Sequence, residues 1–395
     1  MTKVILLGFV LIALTAISTL YVMPSAAPGS ASLQSYANQV RKDCSEVRYR
    51  PACYEKEIPA LTDLLSMQQV FDVVRLVQQS DPTLLHCHTL GHDIADNEVK
   101  KNPGSWKDVI ANCPDRVCNE GCMHGALMAH YGVESFDENR IAQVKQELTG
   151  VCSNAATDAG RAICNHGLGH LFMYITSADI PRSLELCDFI AHDNTANSHY
   201  VPSCIQGVFM TIYQPLGVEA EELVKSITPK KSAVPAFCAP YSDIALESCR
   251  NESWILSRED ILKPDGLTAF CSYSNNTTTQ ERCYDTVLNN RAITWLLESS
   301  EVETYETYCQ GLSGSWKEYC FMTGAQKLVQ ADLQHTKDAV ALCQDASVSG
   351  IGESCFEQLS VYFPRTYLKS GSEEYTDFCT QMPASWRNAC LKHEM

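Results

Sequence analysis

The chain has 395 residues and a formal net charge of −17 at pH 7, and its acidic residues are spread without a long run. This charge excludes nucleic acid as a partner, because binding to phosphates requires a basic surface, and it disfavours contact with an anionic membrane surface. The plain interpretation is the solvated acidic face of an extracellular protein.

An uncharged apolar segment over residues 4–23 follows Lys3. Its length exceeds that of a usual signal-peptide core and is sufficient to cross a bilayer. A run of small residues over 24–32 follows it, with Pro28 close to the small-residue pair that would be cleaved. We predict export, through a cleaved signal peptide or an uncleaved anchor that makes the membrane a partner. The remaining residues then lie outside the cytoplasm, at the cell surface, in the periplasm or secreted.

Twenty cysteines occur in the chain, a density at which disulfides are expected and the compartment is oxidising. A regular spacing predicts the pairing, because a first Cys is followed, after eight to sixteen residues, by a second Cys. The predicted pairs are Cys44–Cys53, Cys113–Cys122, Cys152–Cys164, Cys187–Cys204, Cys238–Cys249, Cys271–Cys283, Cys309–Cys320, Cys343–Cys355 and Cys379–Cys390. Cys87 and Cys118 remain, and we predict a tenth bridge between them.

The second cysteines recur at steps of 33 to 45 residues when His86 is taken as the occupant of this position in its unit. Periods in this range are typical of two-helix repeat units. The positions are 53, 86, 122, 164, 204, 249, 283, 320, 355 and 390. The sequence therefore predicts an all-α fold, a disulfide-pinned solenoid of about nine αα-hairpin units.

The residues between the cysteines have the apolar periodicity of helices, and strand-like alternation is nearly absent. Long helices are predicted over 59–79 and 137–148. Shorter helices that end at the first Cys of a pair are predicted over 181–187, 302–309, 336–343 and 373–379. Matching helices that begin at the second Cys are predicted over 283–297, 320–329 and 355–363.

The chain divides into three parts. Pro229 and Pro235 interrupt the helical pattern in the unit with the longest step, which predicts a change of direction near 225–240. The predicted parts are an export or anchor segment, 1–32, a first solenoid half, 33–235, and a second half, 236–395. Glycosylation motifs in the second half predict solvent-exposed loops at Asn251, Asn275 and Asn276.

A motif over residues 164–170 has relatives at 86–92, 122–128 and 204–210. In register, the first column contains His88, His124, His166 and Gln206, and the second contains His92, Met128, His170 and Met210. Residues four apart share a helix face, and packed helices lie about 8–10 Å apart, so imidazoles of neighbouring units can meet at one ion. The predicted metal ligands are His88, His92, His124, His166 and His170.

Glycines in the same motifs cost about 1 kcal/mol each in a helix, so close approach of a backbone or of a flat cofactor must offset them. Imidazole suits copper and zinc, and Met128 and Met210 favour copper because thioethers are soft ligands. Asp93 and Asp96 follow His92 and are candidates for orienting its imidazole. A haem held by two histidines is a further possibility, although the Cys-x-x-Cys-His attachment motif is absent.

These patterns predict an exported or membrane-tethered repeat protein that binds copper or zinc and is capable of redox chemistry. The alternative is an extracellular scaffold whose groove binds another protein, with each histidine merely hydrogen-bonded to a carbonyl of the next helix. The sequence contains no His-Glu-x-x-His, phosphate-binding Gly-rich loop or Gly-x-Ser-x-Gly motif. Catalysis is therefore left open.

Overall fold

The computed structural model describes residues 30–392, except 82–83, 85–86, 115–117, 119–120, 133, 156, 193–199, 216–217, 300 and 369. The predicted export or anchor segment over residues 4–23 lies outside the described residues. Within them the chain forms helices joined by turns and contains no β-strand. The prediction of an all-α fold is therefore confirmed. No helix in this part of the chain combines the length and the hydropathy needed to cross a bilayer.

The α-helices are numbered in chain order. They are α1 (Ser30–Cys44), α2 (Arg50–Glu57), α3 (Met67–Gln78), α4 (His88–Lys101), α5 (Trp106–Ala111), α6 (Gly121–Tyr131), α7 (Glu138–Leu148), α8 (Asp158–Ile175), α9 (Ile180–His192), α10 (Val201–Tyr213), α11 (Val218–Val224), α12 (Val234–Cys238), α13 (Asp243–Glu252), α14 (Pro264–Cys271), α15 (Thr277–Ala292), α16 (Val302–Gly311), α17 (Ser315–Ala331), α18 (Thr336–Val348), α19 (Gly352–Glu357), α20 (Phe363–Tyr367), α21 (Glu373–Thr380) and α22 (Ala384–Lys392). Two π-helical segments, Ile293–Glu298 and Gln358–Tyr362, extend α15 and α19.

A side-chain cap divides the helix predicted over 59–79. The hydroxyl of Ser66 accepts a hydrogen bond from the backbone N–H of Gln69, and the Gln69 side chain accepts one from the backbone of Ser66. This reciprocal pair fixes the start of α3. The residues before it form the short 3-10 helix Pro59–Asp63 instead of continuing the same helix.

Caps also place several helix starts before the second Cys of a pair. Thr157 accepts a bond from the backbone N–H of Gly160, so α8 begins six residues before Cys164. The side-chain oxygen of Asn276 accepts a bond from the backbone N–H of Thr279, so α15 begins six residues before Cys283. The prediction that the helix over 283–297 begins at Cys283 is therefore wrong, because an Ncap side chain satisfies the free N–H groups earlier in the chain.

All ten predicted disulfides are present, and no cysteine is free. Nine of them join residues 9 to 17 apart in sequence. Cys87–Cys118 differs, with a sequence separation of 31, and it connects the residue before α4 to the segment before α6. So many bridges indicate an oxidising compartment.

Seven helices form a row in which each packs on the next one: α4 on α6, α6 on α8, α8 on α10, α10 on α13, α13 on α15, and α15 on α17. We call these helices the inner row. Six of them contain the second Cys of a pair, and α4 directly follows Cys87. The row therefore places corresponding positions of successive motifs on neighbouring helices.

The apolar side chains form two buried clusters, one from Leu33 to Cys249 and the other from Trp254 to Cys390. The clusters meet at the end of α13. Asn251 lies there and is only 4% exposed, with its side-chain oxygen bonded by the Tyr273 hydroxyl. The prediction of a solvent-exposed loop at Asn251 is therefore wrong, because this residue belongs to a buried helix end. Asn275 and Asn276 are exposed at the start of α15.

Candidate metal centre

The five predicted ligand histidines come together from three helices of the inner row. His88 and His92 lie one turn apart in α4, His124 lies in α6, and His166 and His170 lie one turn apart in α8. The His124 ring is central, with its centroid 5.0 Å from that of His88, 5.5 Å from that of His92, 5.6 Å from that of His166 and 5.5 Å from that of His170. We call these five residues the histidine cluster.

Three ring nitrogens converge at one end of the cluster. Nε2 of His88 lies 3.0 Å from Nε2 of His92 and 3.3 Å from Nδ1 of His124. One nitrogen from each residue can be chosen so that all three lie within 4.8 Å of one another. Two nitrogens bound to one tetrahedral ion at 2.0–2.1 Å lie about 3.3 Å apart. These three side chains therefore have nearly the spacing of ligands around a single ion.

A main-chain carbonyl fixes the tautomer of His124. Its Nε2 lies 3.1 Å from the carbonyl oxygen of Ile163 in α8. A carbonyl only accepts hydrogen bonds, so Nε2 carries the proton and Nδ1 of the neutral ring presents a lone pair. That lone pair faces His88, on the side where the three nitrogens converge.

A hydroxyl fixes the tautomer of His170 in the same way. Thr211 Oγ1 donates to the carbonyl oxygen of Gly207 at 2.9 Å and lies 2.8 Å from Nδ1 of His170. Because the hydroxyl proton is used on Gly207, His170 Nδ1 must donate, and its Nε2 presents a lone pair. That nitrogen lies 3.0 Å from Nε2 of His166. The cluster thus contains a second pair of nitrogens at ligand spacing.

Burial keeps four of the five imidazoles neutral. His124 and His170 are only 3% and 8% exposed. Desolvation, followed by repulsion from the other rings, lowers the pKa of His92 to about 3 and that of His166 to about 4. The same causes bring the pKa values of His124 and His170 well below the usual range. Neutral imidazole is the form that binds metal ions, so the cluster is ready to bind at neutral pH.

The glycines of the motifs allow the inner helices to approach closely. A Cβ on Gly121 or Gly125 would lie closer than 3.0 Å to the backbone of α4. A Cβ on Gly207 would meet the His166 carbonyl in the same way. The space at these glycines is therefore taken by the neighbouring helix backbone and is not available to a flat cofactor. This contact is what offsets their low helix propensity.

The interactions that the structure shows for Asp93, Asp96 and His130 involve residues outside the cluster. His130 stacks on Trp106, with ring centroids 4.5 Å apart. Asp96 pairs with Lys100, and burial raises the pKa of Asp93 to about 6. Ile163 and Thr211 orient the imidazoles instead. The sequence had no signal for them, because one contributes a main-chain oxygen and the other is an isolated threonine on the next inner helix.

A cleft of about 580 Å³ opens on the cluster and continues along the inner row. It is lined by His88, His124, His166 and His170, and further along by residues of α10, α13, α15 and α17. Gln206 of the first sequence column and Met210 of the second line it beyond the histidines. Residues at the corresponding distances from Cys283 and Cys320 continue this lining, and they are Asp285, Asn289 and Gln326.

Glu252 is the residue of this cleft that the sequence analysis missed. It is 2% exposed, and its carboxylate accepts hydrogen bonds from Nε2 of Gln206 at 2.8 Å and of Gln214 at 2.9 Å. It stands three residues after Cys249, where the earlier inner helices have Gly125, Gly167 and Gly207. The sequence signal that could have identified Glu252 is a charged residue at a position that is glycine in the three preceding motifs.

Replacing Glu252 by Gln is expected to stabilise the protein at pH 8 and to have little effect at pH 4.5. Burial raises the pKa of Glu252 from 4.5 to about 7, so the folded protein holds a proton that the unfolded chain has lost. Stability therefore falls as the pH rises from 4.5 to 7, by at most about 3 kcal/mol. Urea unfolding with intact disulfides measures this difference.

Glu281→Gln is the control for this prediction. Glu281 is an exposed carboxylate near the same wall, and its removal is expected to change stability by less than about 0.5 kcal/mol at either pH. Equal effects of Glu252→Gln at pH 4.5 and pH 8 would contradict the buried-charge interpretation.

No protein-family model, no curated protein and no solved structure matches this chain.

Proposed function

We propose that the protein binds a transition-metal ion, copper or zinc, at His88, His92 and His124, with His166 and His170 completing the site. The observation that carries this proposal is the convergence of three ring nitrogens at separations of 3.0 and 3.3 Å. These separations are close to the value of about 3.3 Å for two imidazoles on one tetrahedral ion.

The hydrogen bonding of the cluster favours an ion over mere packing. If the histidines only packed, each ring nitrogen would need its own donor or acceptor. Nε2 of His88 faces both Nε2 of His92 and Nδ1 of His124. Nδ1 of His124 carries a lone pair, because the proton of this ring is on Nε2. One proton cannot make full hydrogen bonds across both contacts. A metal ion accepts all three lone pairs at once.

Copper is the preferred ion in this proposal, with zinc as the alternative. Imidazole binds both, and the thioether of Met210 lines the same cleft as His166 and His170, which adds a soft ligand type. The haem alternative has less support. Rings whose centroids are 4.7–5.6 Å apart leave no room for a macrocycle between them, and the glycines nearby are covered by backbone.

The proposal includes the architecture and the location. We propose that the inner row is the concave side of a disulfide-pinned solenoid of αα-hairpin units, which the order of helix contacts supports. The ten disulfides support a location outside the cytoplasm. The apolar segment over residues 4–23 would direct export and, if uncleaved, would anchor the protein in the membrane.

The test is elemental analysis and an absorption spectrum of the protein purified from an oxidising compartment, compared with the double variant His124→Ala, His166→Ala. We expect stoichiometric copper or zinc in the native protein. In the variant the affinity should fall by at least about a hundredfold, since changes outside the ligand shell alone cost 10–100-fold. His130→Ala, which removes a histidine outside the cluster, should retain the ion.

Circular dichroism establishes that each variant is folded. A native protein that binds neither ion under these conditions, or a double variant that binds as tightly as the native protein, would overturn the proposal. The absence of metal with unchanged folding would leave the scaffold alternative. A Soret band would favour the haem alternative.

A further inference from the structure

The cleft beyond the histidine cluster has a polar wall rich in hydrogen-bond acceptors. Gln206 and Gln214 donate through Nε2 to Glu252, which leaves the oxygen of each carboxamide as an acceptor. Asn289 and Asn290 donate through Nδ2 to carbonyl oxygens of their own helix, at 2.8 Å each, so their side-chain oxygens also remain acceptors. Such a wall is complementary to a ligand that carries several N–H donors.

The charge of Glu252 is uncompensated. Its partners are two neutral carboxamides, and no basic side chain of the described residues forms an ion pair with it. Buried carboxylates are unfavourable unless a cation or a proton neutralises them. Lys327 lines the same cleft, but its charge interacts with Asp285, where it lowers the pKa that burial raises. Lys327 is not among the groups that shift the pKa of Glu252, so it does not neutralise this carboxylate.

The position of Glu252 gives a ligand access to it. A second cavity, of about 400 Å³, adjoins the first, and both are lined by Gln206, Glu252 and Asp285. Glu252 thus stands where the two cavities meet. Together they have the size of a site for a small ligand or for a side chain with some flanking main chain.

We infer that this cleft binds the ammonium or guanidinium group of a polar ligand at Glu252. The carboxylate neutralises the cation, and the oxygens of Gln206 and Gln214 accept its remaining N–H donors. An ammonium has three such donors and a guanidinium five, which hydroxyl-bearing or anionic ligands do not match. The source of the cation is a free amine or a lysine or arginine side chain of a peptide. This inference uses residues outside the histidine cluster and does not require a metal ion.

Binding of the cation must compete with binding of a proton to Glu252. The other titratable groups that line the two cavities lie on the surrounding helices. They are His88 of α4, His124 of α6, His166 and His170 of α8, Glu247 of α13, Glu281, Arg282 and Asp285 of α15, Tyr319 and Lys327 of α17, and Tyr367 of α20. Because burial holds the pKa of Glu252 at about 7, affinity should rise as the pH increases from 5.5 to 8, by about thirtyfold.

The experiment is calorimetric titration of the full chain, freed of metal by a chelator, at pH 8 and pH 5.5. The probes are n-butylammonium, acetyl-lysine amide and acetyl-arginine amide, and acetyl-norleucine amide is the neutral control. We expect binding of the cationic probes alone. The affinity should fall at least tenfold in Glu252→Gln, with no remaining pH dependence. It should be unchanged in Glu46→Gln, because the exposed carboxylate of Glu46 lines neither cavity.

Comparison of the probes distinguishes the two sources. Equal affinity for n-butylammonium and acetyl-lysine amide identifies a free amine as sufficient, whereas tighter binding of the acetylated amino-acid amides identifies a peptide. Equal binding by the native protein and Glu252→Gln, binding of the norleucine derivative, or no binding of any cation would overturn the inference. None of these outcomes depends on whether the histidine cluster holds a metal.

Discussion

Gly169→Ala is expected to destabilise the protein by more than about 2 kcal/mol, although alanine is the better helix former by about 1 kcal/mol. The added Cβ would lie closer than 3.0 Å to the carbonyl of Cys204 and to the backbone nitrogen of Val208 in α10. Both obstacles are main-chain atoms, so no side chain can move aside. The Cys187–Cys204 bridge ties α10 to α9, which also packs on α8, so a shift of α10 away from α8 has to move α9 as well.

Urea unfolding without reductant measures this loss. Gly104→Ala is the control, because Gly104 is exposed and its added Cβ would find its nearest neighbour at an ordinary 3.6 Å. We expect a change within about 0.5 kcal/mol for the control. A Gly169→Ala variant as stable as the native protein would show that α8 and α10 do not pack as closely as described, and it would weaken the case for the histidine cluster between them.

The metal-free protein is expected to lose stability steeply as the pH falls below 6.5. Desolvation brings the pKa of His92 to about 3 and that of His166 to about 4, and it also lowers the pKa values of His124 and His170. The unfolded chain takes up protons below pH 6.5, while the folded cluster does not. Each imidazole then contributes a loss of about 1.4 kcal/mol per pH unit, so four together give at most about 5 kcal/mol per unit.

Urea unfolding of chelator-treated protein at pH 7.5, 6 and 5 tests this dependence. Glu252 acts in the opposite direction over part of the range, so the series is best measured in the Glu252→Gln background. Adding His170→Gln should reduce the slope by the contribution of one imidazole. His335→Gln should leave it unchanged, because this side chain lies in α18's N-cap region, away from the cluster. A flat profile between pH 6.5 and 5 would contradict a neutral, buried cluster.

The disulfide pairing could be predicted from the sequence because each first Cys and second Cys lie at a regular short distance, set by adjacent helices. The starts of the helices could not be predicted from the same spacing. Thr157 and Asn276 begin α8 and α15 a turn or more before the cysteine, through local hydrogen bonds that are independent of the bridges. The cysteines mark where two helices touch and not where either helix begins.

The convergence of the five imidazoles could also be predicted. His124 and His166 stand two residues after the second Cys, and His88 stands two residues after His86, which takes the place of that Cys, so all three lie at corresponding points of the inner row. The atoms that orient the rings could not. The Ile163 carbonyl leaves no trace in the sequence, and Glu252 becomes informative only when its position is compared with that of Gly207 in the preceding motif. The glycines left two explanations open, and the structure supports the close approach of a backbone and not that of a cofactor.

The bridges also determine what happens when the chain is cut. Nine of them close loops between residues at most 17 apart, so they add no covalent connection from one loop to the next. A protease that cleaves between two such loops produces fragments held together by packing alone, even without a reducing agent. Cys87–Cys118 is the exception, because its loop spans α4 and overlaps the Cys113–Cys122 loop. It therefore adds a covalent connection between the segments before α4 and α6, the helices that present His88 and His124.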